Sequence, residues 1–178
     1  MNINQSARAK VNTAIMNSVY SWPRLARGII SVKPVEKQGI GQVSMSHDLK
    51  LYYDPDVVDS LSVEELSYEI EKGVLHPVLS HSQRGKFLIY DKRSQTAFTH
   101  ATDLVAHKVM QDSGRPIPEL DSKRTFESYT LENDQGSYHL WSGSCTEEIY
   151  SQILRGLPEE DSNESPTDNA DTLSLIHI

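Results

Sequence analysis

Histidine residues near the middle of the sequence are the side chains best suited to chemistry. His76 and His81 are five residues apart, which is about 140° round an ideal helix. Their imidazoles can therefore meet at one ion only if the helix breaks between them. Pro77 follows His76 directly and cannot donate a backbone hydrogen bond, so it favours a kink or an early helix end. The pair is a candidate for metal binding that depends on this break.

A second segment carries another group of possible metal ligands. His100, Asp103 and His107 are spaced by three and four residues, which places them on one face of a helix. Imidazole and carboxylate are both ligands that zinc accepts. The predicted metal ligands are His76, His81 and Asp103, with His100 and His107 as alternatives to His81.

The same residues also allow an interpretation without a metal. In this interpretation the histidines lie on the surface, and Asp103 forms a local salt bridge with Lys108 or Lys92. Three charged residues fall on the same side of an ideal helix as His76: Glu65, Glu69 and Lys72. A charged, solvated helix face explains this set most simply, because i, i+3 and i, i+4 charges commonly pair on exposed helices.

The segments that must position these residues predict an α+β fold. Helices are predicted at 6–20, 62–80, 94–112 and 146–154, and strands at 28–35, 42–45 and 50–53. Ser62 and Glu65 form a capping-box pattern at the start of the second helix. The three strands are close in sequence, so we expect a small antiparallel sheet packed on the helices at 62–80 and 94–112.

Charge and composition limit the classes of protein to which the chain can belong. Its net charge is −8, and six of its acids lie between Pro158 and Ile178, a stretch without Lys or Arg. We therefore expect one domain over 1–157 and a disordered acidic tail over 158–178. The closing LSLIHI is apolar and unlike the residues before it.

Several functions are disfavoured by the sequence as a whole. The body of the chain is nearly neutral and shows no basic stretch, so we expect no nucleic-acid partner. No apolar run reaches the length of a membrane span, and the first ten residues lack the apolar core of a signal peptide. With one cysteine, Cys145, the chain has no internal disulfide framework. These features favour a cytoplasmic protein.

Six short segments carry a resemblance to a known family through their order and spacing. They are Leu51-Tyr52-Tyr53-Asp54-Pro55, Leu61-Ser62-x-Glu64-Glu65-Leu66, Val74-Leu75-His76-x-x-Leu79-x-His81-x-x-Arg84, Ala101-Thr102-Asp103, Gly114-x-Pro116-Ile117-Pro118 and Glu147-Glu148-Ile149-Tyr150. Over about residues 7–155 the chain resembles the metallopeptidase domain found ahead of von Willebrand A-like domains in bacterial and phage proteins. The resemblance implies a zincin-like fold, zinc as cofactor, and a protein partner such as a von Willebrand A-like or ATPase component.

The chain departs from this family at its catalytic motif, His-Glu-x-x-His. His76 matches the second histidine, but Lys72 stands at the first and Gly73 at the glutamate. In the family's motif two histidines one helical turn apart share a zinc ion, and the glutamate takes a proton from the zinc-bound water. An ammonium repels a dication and glycine carries no carboxylate, so no catalytic residue is predicted and zinc binding should be weakened or lost. Asp103 matches the aspartate of the family's alanine-rich helix, a plausible third ligand.

Three functions remain open at the level of the sequence. The first is a catalytically degenerate metallopeptidase-like protein, a pseudoenzyme that acts through binding. The second is an active zinc-dependent hydrolase with an altered site. The third is a structural or interaction protein of phage or bacterial origin that is not an enzyme.

Overall fold

The computed structural model describes residues 3–118, 130–133, 136–139, 145–157 and 175–177. The chain divides into two compact units, Met1–Ser82 with Ala170–Ile178, and Gln83–Asn169. The single domain expected over 1–157 therefore includes parts of both units.

Helices predominate among the elements, as the sequence predicts for an α+β chain. In chain order the helices and strands are α1 (Ile3–Ser21), a 3₁₀ turn (Pro23–Leu25), α2 (Ala26–Ile30), β1 (Lys33–Glu36), β2 (Val43–Ser46), β3 (Lys50–Tyr53), α3 (Pro55–Ser60), α4 (Val63–Val78), α5 (His81–Gly85), α6 (Lys92–Asp112), β4 (Thr130–Asn133), β5 (Gly136–His139), α7 (Thr146–Gly156) and β6 (Leu175–His177). All four predicted helices are present within a few residues of their expected bounds.

The sheet of the first unit is mixed, so the predicted antiparallel meander is wrong at its first strand. Strand β3 lies between β1 and β2, pairing parallel with β1 and antiparallel with β2. The connection from β1 to β2 forms no tight hairpin, since the two strands are not neighbours in the sheet. Near its end the Gly41 amide (φ 64°) donates to a carboxylate oxygen of Asp54 at 2.9 Å. A wide connection of this kind leaves the space next to β1 for β3.

The first predicted strand is also too long, since residues 26–30 form helix α2. The β-branched run there favours a strand, but Pro23 fits the first turn of a helix and Gly28 packs tightly on α4. A Cβ on Gly28 would lie 2.8 Å from the Val74 side chain. Tertiary packing of α2 therefore overrides the local propensity.

Helix α4 is held from both sides within its unit, against α1 and against β2. Two buried serines join it to α1: Ser18 Oγ donates to the Ser67 carbonyl (3.3 Å), and Ser67 Oγ donates to the Ala14 carbonyl (3.2 Å). The predicted capping box starts the helix, with the Glu65 amide donating to Ser62 Oγ (3.0 Å). The helix that carries His76 is thus fixed in position and direction.

The second unit is organised by the packing of α6 on α7. Its buried cluster consists of Ala97, Phe98, Ala101, Leu104, Ile149, Tyr150 and Ile153. Arg93 closes the end of α7 by donating from Nη2 to the carbonyls of Leu154 (2.5 Å) and Leu157 (2.8 Å). The expected packing of the helix at 94–112 on the sheet stays a prediction.

The predicted disordered tail, 158–178, lies outside the described residues except at 175–177. These three residues form β6, which pairs antiparallel with β2 and differs from the prediction. The difference has a local reason, because strand β2 has an edge whose backbone groups accept a further strand.

Candidate metal-binding site

A sharp break separates α4 from α5, where the sequence predicts one. The helix ends at Val78, one residue after Pro77, and Ser80 adopts a left-handed conformation with φ 56°. The Ser80 amide donates to the Pro77 carbonyl at 3.0 Å, which tightens the last turn. Helix α5 then begins at His81.

The break brings His76 and His81 together. Their Nδ1 atoms are 3.0 Å apart and their rings meet edge to face, with centroids separated by 5.1 Å. Both residues are buried, at 0% and 1% exposure, so the interpretation of surface histidines is wrong for this pair. Two of the three predicted ligands are therefore neighbours.

The spacing of the two imidazoles suits either of two states. In the first state the two rings form a hydrogen bond, in which the protonated Nδ1 of one ring donates to the unprotonated Nδ1 of the other. As a metal pair, two nitrogens bound to a tetrahedral zinc at about 2.05 Å lie about 3.3 Å apart. The observed separation of 3.0 Å is an ordinary hydrogen-bond distance and slightly shorter than the metal-bound spacing. The pair therefore offers two suitably placed nitrogen donors.

One turn before His76, the side chain at position 72 is a buried cation. Lys72 Nζ lies 3.1 Å from Glu69 Oε2, with side-chain exposures of 8% and 20%, and 5.4 Å from the centroid of the Tyr68 ring. The expected solvated helix face is therefore wrong for Lys72. The i, i+3 spacing of Glu69 and Lys72 predicts their pairing, but burial depends on tertiary packing.

Gly73, where the resemblance leads us to expect a glutamate, is also buried on α4. Glycine has no functional group that could accept a proton from a zinc-bound water. The arrangement therefore offers no general base at this position, whatever occupies the histidine pair.

The remaining predicted ligands lie on α6, in the second unit. Asp103 is half-buried, His107 is buried and His100 is exposed. Lys108, suggested as a salt-bridge partner of Asp103, forms an ion pair with Asp112. Within the described part of the chain, no group of three His, Cys, Asp or Glu side chains could hold a metal ion.

The residues present do not fit the zinc site of a metallopeptidase. Such a site needs three protein ligands, an open position for water and a general base. His76 and His81 supply two nitrogens, but the ion-paired Lys72 ammonium cannot serve as a third ligand and Gly73 supplies no base. This conclusion follows from the chemistry of the side chains at these four positions.

Two other segments of the resemblance meet in the second unit. Arg84 donates from Nε to Glu147 Oε1 at 2.6 Å, and its Nη2 donates to Glu147 Oε2. This two-pronged contact lowers the pKa of Glu147 to about 2. Each residue belongs to a segment of the resemblance, but nothing in the sequence indicates that they pair, since they are 63 positions apart.

Comparison with known families now adds to this geometry. The sequence model of the family described as "Putative metallopeptidase domain" matches residues 6–172. The chain belongs to this family, and the match covers elements of both units. No curated protein and no solved structure matches the chain. Across the described residues, no helix is long and apolar enough to cross a membrane.

Proposed function

We propose that this chain is a catalytically inactive member of the metallopeptidase family that acts by binding a protein. The observation that carries the proposal is the buried, ion-paired Lys72, followed by Gly73, one turn before His76. Losing the general base alone removes a contribution of roughly 10²–10⁴-fold. Losing a ligand as well removes the three-ligand geometry of catalytic zinc.

The binding half of the proposal follows from the family resemblance, which implies a von Willebrand A-like or ATPase component as partner. Two exposed aromatic residues support a role in contacts: Phe87 is 91% exposed and Tyr90 is 64% exposed. Both lie in the short connection between α5 and α6, and large apolar side chains that stay exposed are common at interaction sites.

The catalytic half is tested by a paired experiment on casein cleavage. The natural protein and a Lys72→His, Gly73→Glu double variant are each supplied with zinc at neutral pH. We expect no cleavage by the natural protein, and zinc uptake by the variant through the introduced imidazole, His76 and a third ligand, Asp103 or His81. Cleavage by the natural protein that His76→Ala abolishes would contradict the proposal.

A further inference from the structure

The Lys72 ammonium is held in one place by neighbours on its own helix. Its Nζ forms an ion pair with Glu69 Oε2 at 3.1 Å, and the centroid of the Tyr68 ring lies 5.4 Å from Nζ. The ion pair and the cation–π contact together fix the position of the amine. Since the side chain is 8% exposed, water screens this charge less than it would screen a surface lysine.

Lys72 lies one helical turn before His76 on α4. Position 72 precedes His76 by four residues, which is about 6 Å along the helix axis. A unit charge about 8 Å from a dication weakens its binding by about sixfold at the dielectric constant of water, and by about a thousandfold at an effective value near 20. The expected effect on metal affinity is therefore large enough to measure.

We propose that Lys72 excludes divalent metal ions from the His76–His81 pair, and that Glu69 and Tyr68 position its ammonium for this purpose. The two nitrogens are spaced as metal ligands are, at 3.0 Å, so the donors for a cation remain while the adjacent charge opposes it. The inference rests on the proposed loss of catalysis and adds the residue that keeps the site free of metal.

The affinity for Zn²⁺ tests the inference directly, by competition with a chromophoric chelator at neutral pH. We expect Lys72→Met, which removes the charge and keeps the length of the side chain, to bind Zn²⁺ at least about sixfold more tightly than the natural protein. Lys72→Arg keeps the charge and should bind as the natural protein does. Glu69→Gln, which removes the opposite charge, should bind no more tightly.

The histidines must account for any gain. Adding His76→Ala to Lys72→Met should return the affinity to that of the natural protein. Equal affinities of Lys72→Met and the natural protein would overturn the inference, as would a gain that survives His76→Ala or appears equally in Lys72→Arg.

A second comparison covers the case in which Lys72→Met fails to fold. The Glu69→Gln, Lys72→Met double variant removes both charges, and relative to Glu69→Gln it should show the same gain of at least about sixfold. If the natural protein is inactive and neither comparison shows a gain, this inference alone fails. Casein cleavage by the natural protein would instead contradict the proposed function.

Discussion

At the scale of single residues, burial determines what the charged side chains of α4 do. Glu69 and Lys72 are spaced as an ordinary surface pair, and their types alone predict a solvated face. The structure buries the ammonium beside the carboxylate instead. A buried charge costs free energy unless a partner compensates it, so this pair contributes to folding as well as to the character of the site.

Removing both partners should therefore cost less than the two single removals added together. We expect Lys72→Met to lower the free energy of unfolding by about 2 kcal/mol, less than for a fully buried pair because Glu69 keeps some exposure. The Glu69→Gln, Lys72→Met double variant should lose less than the sum of the two single variants. Urea unfolding measures all three. Strictly additive losses would show that the two side chains do not interact in solution.

The ion pair of Arg84 and Glu147 makes the free energy of unfolding depend on pH. The pKa of Glu147 falls from 4.5 to about 2, first because of its hydrogen bond to Arg84. A lowered carboxyl pKa stabilises the folded state above the unfolded pKa, and this stability disappears as the pH falls through the folded pKa.

Glu147→Gln should remove this contribution. The natural protein should exceed the variant by about 1 kcal/mol at neutral pH, a value reduced for solvent screening because the Glu147 side chain is partly exposed. The difference should shrink as the pH falls from about 5 toward 2. Chemical unfolding at several pH values provides the measurement. A difference that grows on acidification would contradict the assigned role.

At the scale of elements, local signals in the sequence predict the helices, and long-range packing determines the rest. The capping box at Ser62 and Glu65 depends on four consecutive residues, so the start of α4 is correctly predicted. The parallel partner of β1 is β3, and nothing in the strand residues themselves specifies that choice. Helix α2 replaces the first residues of a predicted strand because Gly28 packs on Val74, which is distant in sequence.

The close approach of α2 to α4 predicts a cost for adding one methyl group. Alanine is favoured over glycine in a helix by up to about 1 kcal/mol, yet Gly28→Ala would place its Cβ 2.8 Å from Val74 Cγ1. We expect a net loss of about 1–3 kcal/mol in the free energy of unfolding. The nearby exposed Arg27→Ala serves as control and should change stability little.

Removing the neighbouring branch should relieve the clash. In a chain that already carries Val74→Ala, adding Gly28→Ala should cost nothing or stabilise the protein. If Gly28→Ala costs the same in both backgrounds, the two helices do not pack as closely as this account requires.

The candidate site likewise has one part that neighbouring residues determine and another that depends on residues distant in sequence. The break after Pro77 is a local signal that the sequence predicts, and the contact between His76 and His81 depends on it. The role of Asp103 depends on a different helix in the second unit, so sequence spacing alone could not establish it, and it stays a prediction.

At the scale of the whole molecule, the family match over 6–172 covers elements of both units, although the sequence suggests one domain ending at 157. The match reaches into the segment predicted to be an unstructured tail. Its composition is acidic and aperiodic, which gives it little apolar surface to bury on folding.

Deleting residues 158–178 should therefore change the thermal midpoint by less than about 3 °C. The removed segment includes β6, whose three residues pair with β2, and so short a strand contributes little. Differential scanning calorimetry of the full and shortened chains provides the measurement. A larger fall in the midpoint would show that the segment packs on the body of the protein.

The zinc content of the natural protein tests the central claim most directly. The protein is equilibrated with excess Zn²⁺ at neutral pH, freed of unbound metal, and its zinc is counted per chain by mass spectrometry. We predict far less than one zinc per chain, because in the proposed function Lys72 and Gly73 stand where an active member would carry a ligand and the general base. One zinc per chain that disappears in His76→Ala would contradict the account.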